Sequence, residues 1–442
     1  MLSKKLGTIV DRDMPRLSGR VFTIAAGEGI ARLSNLLLAV FIARVFGVRA
    51  AGGYALAQAL ALYQMQATDF GLRHTGARLI ARSPEHAGWI IRFVQQKRIL
   101  LALLMSVLGC VYGWFGPLPR DTRSIVSLYA LSIFGYGLSL DWLAWGMERF
   151  ALMSGWRALV SLLGAGVSIV CVRYLNAGLV IVALANVLAY LIADSLLWFF
   201  WARRVVAAGD ETPTFAARAE GIGWRSIAPL GFALLLNQAF NSIDTMMLGS
   251  LTNSTETGLY SAAYRLPLLV VAVYYLGMQA IYPRLASFGE AGHTLRSIWR
   301  PLLAVVVAGA AVAAAMESIR GPFVALLYGS GFSASAKIAA PLLVAIPFDF
   351  ATSFLITTLV AWNQPRRVLT ATGTAVLSNV LLNYFLIPRY RAMGAAYATP
   401  LSYIPLLLML LWQLHHVAGS DSGNMDASVG APALLSSRGA AV

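Results

Sequence analysis

Residues 299–318 read WRPLLAVVVAGAAVAAAMES, and the charged side chains of this stretch, Arg300 and Glu317, stand near its two ends. A helix needs about 20 mostly apolar residues to cross the roughly 30 Å hydrocarbon core of a bilayer. The stretch therefore predicts a membrane-spanning helix. The same criterion predicts twelve spans in all, at 19–45, 52–80, 93–116, 123–147, 151–174, 177–202, 224–249, 257–285, 299–318, 336–362, 368–388 and 392–416.

The composition of the whole chain agrees with a lipid environment. Hydrophobic residues make up 58% of the 442 residues, the mean hydropathy is +0.70, and only 12% of the residues are charged. Soluble domains carry about 25% charged residues, so this chain has too little charge to cover a water-exposed surface of its size. We therefore predict an all-α polytopic membrane protein with about twelve transmembrane helices.

The net charge of +15 does not indicate a nucleic-acid-binding protein. Such proteins gather basic residues on one polar face or segment, whereas the basic residues here stand in short runs between apolar stretches. With the N-terminus placed inside, nine of the 34 lysines and arginines lie outside and two lie within spans, which leaves 23 in the cytoplasm. Because cytoplasmic loops carry the excess of Lys and Arg, both termini are predicted to be cytoplasmic.

The longest polar connection divides the predicted spans into two sets of six. The division predicts a cytoplasmic N-terminus (1–18), an N-terminal six-helix half (19–202), a cytoplasmic linker (203–223), a C-terminal six-helix half (224–416) and a disordered cytoplasmic tail (417–442).

The two halves show an internal repeat at a constant offset of 206 residues. Gly52 matches Gly258, and Tyr54 matches Tyr260. The further matches are Ala57 with Ala263, Gly71 with Gly277, Arg78 with Arg284 and Leu79 with Leu285. Six spans per repeat is an even number, so both repeats cross the membrane in the same direction. Transporters with parallel repeats have a symmetry axis along the membrane normal and a substrate site near the midplane.

Six carboxylates fall within predicted spans, where a charge costs roughly 2.5–3.5 kcal/mol even on the gentler insertion scales. They are Glu28, Asp69, Asp141, Asp194, Asp244 and Asp349. For Asp141 and Asp194, we favour snorkelling to an interface or local structural pairing over a functional role. Asp69 is a candidate for charge pairing or ion coupling.

Two of these carboxylates have an arginine within predicted reach. Glu28 and Arg32 are four residues apart on the first helix, which permits an ion pair along one face. Asp244 and Arg265 come from consecutive spans, and at 1.5 Å rise per residue their predicted depths differ by about 3 Å. Each pair is consistent with mutual neutralisation during insertion and also with the charged wall of an internal cavity.

No sequence motif indicates an enzyme or a cofactor. The sequence contains no Gly-x-x-x-x-Gly-Lys-Ser/Thr phosphate loop, no His-Glu-x-x-His and no Gly-x-Ser-x-Gly. The two cysteines, Cys110 and Cys171, lie in apolar stretches without the spacing of a metal site or a disulfide framework. We therefore expect a protein that is not an enzyme and that needs no cofactor or metal.

A series of short motifs runs in a defined order along residues 20–415. The motifs are FG at 46–47, GYA at 53–55, DFGL at 69–72, DWLAWGMER at 141–149, DTMMLG at 244–249, GLYSAAYR at 258–265, YG at 328–329, NVLLN at 379–383, IP at 387–388 and GAA at 394–396. Together they resemble the polysaccharide-biosynthesis, or oligosaccharide, flippases of the multidrug/oligosaccharidyl-lipid/polysaccharide (MOP) exporter superfamily. The chain departs from that pattern at Ala144-Trp145, in place of the more usual Phe-Gln, and at Tyr390-Arg391, where a glycine is frequent.

The resemblance implies a MATE-like fold in the bacterial inner membrane that works by alternating access. It also implies translocation of a polyprenyl-diphosphate-linked oligosaccharide from the inner to the outer leaflet, for lipopolysaccharide or another cell-surface polysaccharide. The implied partners are this substrate, membrane lipids, a polysaccharide polymerase and glycosyltransferases, with no nucleic acid. At about 0.8 kcal/mol per CH₂, a carrier of about 55 carbons would cost roughly 40 kcal/mol to bring into water. The carrier tail must therefore remain in lipid.

With such a substrate, Arg32 and Arg265 become candidates for head-group contacts, because a permanently charged guanidinium suits a diphosphate. Glu28 and Asp244 would hold the two arginines while the cavity is empty, and either could take part in coupling to H⁺ or Na⁺. Two other functions stay open: a cation-coupled multidrug antiporter of the same superfamily and a membrane polysaccharide polymerase or ligase. A major-facilitator transporter is disfavoured, since its Gly-x-x-x-Asp-Arg-x-Gly-Arg-Arg type loop is missing after the second span.

Overall fold

The computed structural model describes residues 2–202, 205, 223–290 and 295–429, and its regular elements over these ranges are all helical. We number the α-helices in chain order. They are α1 (Leu2–Asp69), α2 (Leu72–Arg82), α3 (Ala87–Phe115), α4 (Arg120–Gly137), α5 (Asp141–Gly146), α6 (Phe150–Leu175), α7 (Leu179–Leu197), α8 (Trp224–Leu251), α9 (Ser254–Glu290), α10 (Leu295–Tyr328), α11 (Ser333–Ala361) and α12 (Pro365–Val429).

Eight of the described helical segments are long and apolar enough to cross a membrane. Two of them, Ala26–Asp69 and Pro365–Val417, are long enough for two predicted spans each. Each of these long helices is broken by one residue with non-helical backbone, Gly47 (φ 80°, ψ −177°) in α1 and Arg391 (φ 53°) in α12. The dihedrals of Gly47 fall in a region open essentially to glycine alone. The all-α membrane fold is thus confirmed, and a count of twelve spans is compatible with it.

Helix α3 shows how these helices face lipid. Its buried positions include Val94, Arg98 and Ala102, which recur at helical spacing on one side. The opposite side carries large apolar side chains that are about half exposed or more, namely Leu100, Leu103, Leu104, Val107, Leu108 and Val111. An apolar stripe on the outside and a partly polar stripe on the inside is the reverse of a soluble helix, as expected when lipid is the solvent.

Two predicted spans are interrupted in the structure. The span 52–80 stops at Asp69, where Phe70 (φ 31°) and Gly71 (φ 81°) have left-handed backbone, and the chain continues as the short helix α2. The span 123–147 divides into α4 and α5, with a break between Gly137 and Asp141. The predicted spans did not indicate these two breaks, although Thr122–Gly146 as a whole is still long and apolar enough to cross a membrane. Hydropathy averages over a window and does not detect a local change of backbone direction.

Parts of the predicted domain division lie outside the described residues. Most of the linker 203–223 does, as do residues 430–442 of the predicted tail. Helix α12 ends at Val429, so the first part of the tail predicted to be disordered is helical.

The chain forms two compact units, each built from several stretches. Unit I comprises residues 1–263, 321–338 and 383–395, and unit II comprises residues 264–320, 339–382 and 396–442.

Within unit I, helices α1 and α9 cross at two glycines, Gly52 and Gly258. A Cβ atom on Gly52 would overlap the carbonyl oxygen of Ser254, and one on Gly258 would overlap that of Val48. The helices can approach this closely only because both positions lack a side chain. Gly52 and Gly258 are equivalent positions of the predicted repeat, and equivalent residues touch only near the axis that relates the repeats. The crossing therefore supports the repeat.

Two pairs of hydroxyl groups flank this crossing. The Thr122 and Ser254 hydroxyls are 3.0 Å apart, and the Tyr112 and Ser250 hydroxyls are 2.6 Å apart. These hydrogen bonds tie α3 and α4 to α8 and α9.

Candidate functional site

A cluster of charged side chains is buried in unit I around Arg98 of α3. The Arg98 side chain is 0% exposed and forms ion pairs with Asp69 (Nη2 to Oδ1, 2.9 Å) and with Asp141 (Nη1 to Oδ1, 3.7 Å). Asp69 is the last residue of α1, and Asp141 is the first residue of α5. Both chain breaks thus place a carboxylate against the same buried arginine. The Tyr136 hydroxyl donates a hydrogen bond of 2.6 Å to Oδ2 of Asp69.

Arg98 also stabilises the interruption between α4 and α5. Its Nη1 donates to the Ser139 carbonyl at 2.7 Å, and its Nη2 donates to the Ser139 hydroxyl at 3.1 Å. Nearby, the Gln95 side-chain amide donates to the Gly137 carbonyl. A broken helix inside a membrane protein needs partners for the backbone groups that the break frees. Arg98 and Gln95 supply those partners, and the sequence-based prediction identified neither of them.

Asp141 lies at the centre of this cluster. Its Oδ2 accepts from Arg157 Nη2 at 2.8 Å and is 3.2 Å from Arg73 Nε, while the Ser139 hydroxyl donates to Oδ1 at 3.2 Å. With Arg98, three guanidinium groups meet one carboxylate. The local pairing predicted for Asp141 is present, but its side chain is only 2% exposed. It is enclosed by protein and does not snorkel outward.

The cluster has one partly open edge, at Arg157 of α6 and Glu28 of α1. Arg157 Nη1 donates to Glu28 Oε1 at 3.1 Å, and the two side chains are 33% and 38% exposed. The structure therefore gives Glu28 a different partner from the Arg32 that the sequence suggested. Arg32 itself is exposed, and it forms no ion pair within the described part of the chain.

The charges that form ion pairs in this cluster balance. Three carboxylates (Glu28, Asp69 and Asp141) face three arginines (Arg73, Arg98 and Arg157). Asp194 of α7 is near enough to Arg98 and Arg157 to interact with them electrostatically. Sequence reasoning flagged all four carboxylates but none of these arginines. A signal was present at Arg98: its number falls within the bounds of the predicted span 93–116, yet it was counted among the cytoplasmic basic residues.

Asp244 of α8 occupies a second polar site in unit I. Its Oδ2 accepts a hydrogen bond of 2.9 Å from the Tyr260 hydroxyl, and its Oδ1 accepts one from the Asn383 amide. The carboxylate is therefore held by neutral donors from α9 and α12. The predicted pairing of Asp244 with Arg265 stays a prediction. Nη1 of Arg265 is buried and has no hydrogen-bond partner among the described residues.

Asp349 of α11 occupies a polar site in unit II. The Ser353 hydroxyl lies 3.2 Å from its Oδ1 and 3.1 Å from the Tyr275 hydroxyl. Tyr275 and Tyr403 also hydrogen-bond the carboxylate. Close by, the Tyr274 ring stacks on Phe350 at 3.7 Å between centroids. Hydroxyl groups thus surround this carboxylate.

The chain is similar to one protein family and to several solved structures. The family model described as "Polysaccharide biosynthesis protein" matches residues 19–288. No match was found among the curated proteins with which the sequence was compared.

Solved structures similar to the chain share its helical architecture. The lipid II flippase MurJ in an inward closed conformation aligns with a TM-score of 0.69 and 15% identity, over 89% of this chain and 87% of that one. An inward-facing multidrug resistance MATE family transporter of the MOP superfamily gives 0.62 and 15%, over 88% and 95%. A MOP superfamily transporter from Pyrococcus furiosus gives 0.56 and 16%, over 90% and 94%. At these identities the likeness shows the fold alone, and this chain shares its fold with these three proteins.

Proposed function

The chain belongs to the polysaccharide biosynthesis protein family, and from this premise we propose that it is a flippase for a polyprenyl-diphosphate-linked oligosaccharide. In this proposal the substrate passes from the inner to the outer leaflet of the bacterial inner membrane, and both termini of the chain are cytoplasmic. A polysaccharide polymerase and glycosyltransferases act after and before this step.

One observation carries the proposal: the two predicted head-group arginines offer guanidinium groups that the protein leaves incompletely satisfied. Arg32 is exposed and has no ion pair within the described ranges, and Nη1 of Arg265 is buried without a described hydrogen-bond partner. A cation within a membrane span almost always faces a cavity, a partner or the substrate pathway. A diphosphate is an anion that can provide forked, charge-assisted hydrogen bonds to such arginines.

The energetics favour passage of the head group through a laterally open cavity while the tail remains in lipid. Bringing the carrier tail into water would cost roughly 40 kcal/mol, at about 0.8 kcal/mol per CH₂. Moving two negative charges outward across a membrane with an inside-negative potential of about 100 mV is favourable by roughly 4.6 kcal/mol. No nucleotide hydrolysis is needed for the charged step. Exchange of H⁺ or Na⁺, at Asp244 or Glu28, would then reset the empty carrier.

The proposal is tested by replacing each arginine with glutamine and with lysine and measuring lipid-linked oligosaccharide in the outer leaflet at matched expression. We expect Arg32→Gln and Arg265→Gln to abolish export and the lysine variants to retain part of it, because lysine keeps the charge but loses the fork. Arg320→Gln is the control, since Arg320 pairs with Glu317 at 2.7 Å in a partly exposed (i, i+3) contact. Full export by both glutamine variants would refute the binding of the head group by Arg32 and Arg265.

A cation-coupled multidrug antiporter is the second candidate. It is favoured by Asp349, whose described partners are hydroxyl groups rather than arginines. Such a carboxylate suits a cationic substrate or a coupling ion. Efflux of a cationic dye from vesicles, with no movement of lipid-linked oligosaccharide, would select this function over the flippase.

A further inference from the structure

The arginine cluster of unit I is buried at one end and partly open at the other. Arg98 is 0% exposed and Asp141 is 2% exposed, whereas Arg157 and Glu28 are 33% and 38% exposed. An anion that approaches the cluster from outside the protein therefore meets Arg157 first. Sequence reasoning gave Arg157 no role.

The two ends of the Arg157 guanidinium hold two different carboxylates. Nη2 donates to the enclosed Asp141 at 2.8 Å, and Nη1 donates to the half-exposed Glu28 at 3.1 Å. A guanidinium is a rigid, planar fork of donors. The bond to Asp141 can therefore keep the fork in place while the partner of Nη1 is exchanged.

Glu28 is the partner that can leave at the lower cost. Asp141 is only 2% exposed, so water could not replace the Arg157 guanidinium if this contact broke, and the loss of a charged partner in an enclosed site is unfavourable. Glu28 is half exposed, so water can hydrate its carboxylate after release, and half-exposed ion pairs contribute little to stability. The contacts thus distinguish a permanent partner from an exchangeable one.

The helix packing keeps this exchangeable pair in position. A Cβ atom on Gly27 would lie 2.7 Å from backbone and side-chain atoms of Ser154, so α1 and α6 cross in close contact beside Glu28 and Arg157. Release of Glu28 then requires a change of its side-chain rotamer and no separation of the helices. Arg32 follows one turn later on the same side of α1, which brings a second cation toward the same edge.

We propose that Arg157 binds the diphosphate of the lipid-linked substrate and that Glu28 is the resting counter-ion which the diphosphate displaces. The proposal rests on the flippase function and adds to it a substrate contact on α6, held in orientation by Asp141. The carboxylate of Glu28 keeps the site closed to weaker anions. A diphosphate replaces it because it carries more negative charge and more acceptor oxygens.

The test measures binding of farnesyl diphosphate to the purified full-length chain in lipid nanodiscs. Arg157→Gln should weaken binding about tenfold or more, the loss expected for one charge-assisted hydrogen bond, and Arg157→Lys should recover part of it. Glu28→Gln should strengthen binding severalfold, because it removes the competing anion. The matched controls are Arg320→Gln and Glu317→Gln, in a similarly half-exposed pair of α10, and they should leave binding unchanged.

The sign of the Glu28→Gln effect separates this proposal from a structural role. If the pair only braced α1 against α6, removing Glu28 would lower the thermal stability of the protein and would leave binding equal or weaker. Equal or weaker binding by Glu28→Gln, or full binding by Arg157→Gln, overturns the proposal. Inorganic pyrophosphate is the second probe. Binding of pyrophosphate as tight as that of farnesyl diphosphate would overturn the assignment to a lipid-linked substrate.

The outcome also distinguishes this inference from the flippase proposal itself. Loss of farnesyl diphosphate binding in Arg32→Gln and Arg265→Gln, with no effect at Arg157 and Glu28, would leave the flippase standing and would remove Arg157 from the site. Failure of the unsubstituted chain to bind any prenyl diphosphate would overturn both.

Discussion

Asp141 in unit I and Asp349 in unit II are both enclosed carboxylates within predicted spans, yet their partners differ in kind. Asp141 meets the guanidinium groups of three arginines, whereas Asp349 meets hydroxyl groups. Arginine remains charged at any physiological pH, so the partners of Asp141 require it to be an anion. Hydroxyl groups both donate and accept hydrogen bonds, so the partners of Asp349 can accommodate a carboxylate, a carboxylic acid or a bound cation.

Asp141 therefore has a scaffold role, because its partners fix it as an anion. Asp349 is adaptable, because its partners accept more than one state of the carboxyl group. Removing the charge of Asp141 would leave an excess of positive charge in an enclosed site, and that is costly. Removing the charge of Asp349 leaves its hydrogen-bonded neighbours with a partner of similar shape. The two sites should therefore respond very differently to the same chemical change, from aspartate to asparagine.

The largest effect is expected from Asp141→Asn. The change leaves the fully buried Arg98 with one carboxylate instead of two, and breaking a buried ion pair by removing one partner costs about 3–5 kcal/mol. We expect a large drop in the thermal unfolding midpoint in detergent and a low protein yield at 37 °C. Asp349→Asn, prepared in parallel, is the matched control. An Asp141→Asn protein as stable as the unsubstituted chain would contradict the scaffold role.

An intermediate effect is expected from a double-mutant cycle of Arg98→Met and Asp69→Asn. Each single change leaves one charge of the 2.9 Å pair uncompensated, while the double change removes both. The coupling free energy of contacting pairs is about 0.5–3 kcal/mol, and we expect this buried pair to lie in the upper part of that range. Additive losses of stability would show that Arg98 acts mainly through Asp141 and the Ser139 carbonyl.

The sequence was sufficient to predict the all-α membrane fold but not the interruptions of its helices. Long apolar stretches and the distribution of Lys and Arg depend on the bilayer alone, so they predict spans without tertiary information. The interruption between α4 and α5 depends on Arg98, which lies on another helix and donates to the Ser139 carbonyl. The predicted repeat pairs Gly52 with Gly258, and the structure adds the physical reason for glycine at both positions, because their close contact tolerates no side chain.

The sequence predicted the carboxylates of the candidate site but not their arginine partners. The cost of a charge in lipid singled out Asp69, Asp141 and Glu28 from the sequence. Arg157, the partner of Asp141 and Glu28, stands near the start of a predicted span, where arginine is ordinary, so it was counted among the cytoplasmic basic residues. Glu28 and Arg32 were predicted to pair because a four-residue spacing along one helix can be read directly from the sequence. The actual Glu28–Arg157 pair links α1 with α6, across 129 residues.

The smallest effect on stability is expected from Asp349→Asn. Asparagine has nearly the same shape, and its carbonyl oxygen can still accept a hydrogen bond from Ser353, whose hydroxyl lies 3.2 Å from the carboxylate. The loss should amount to one neutral hydrogen bond, about 0.5–1.5 kcal/mol, measured as a small decrease in the thermal unfolding midpoint. Transport should decrease more than stability if the carboxyl group takes part in ion coupling, because asparagine cannot bind or release a proton. Ser353→Ala serves as the control, since it removes one hydrogen-bond partner and keeps the titratable group. A loss of stability as large as that of Asp141→Asn would show that Asp349 also has a cationic partner, and the distinction between the two carboxylates would disappear.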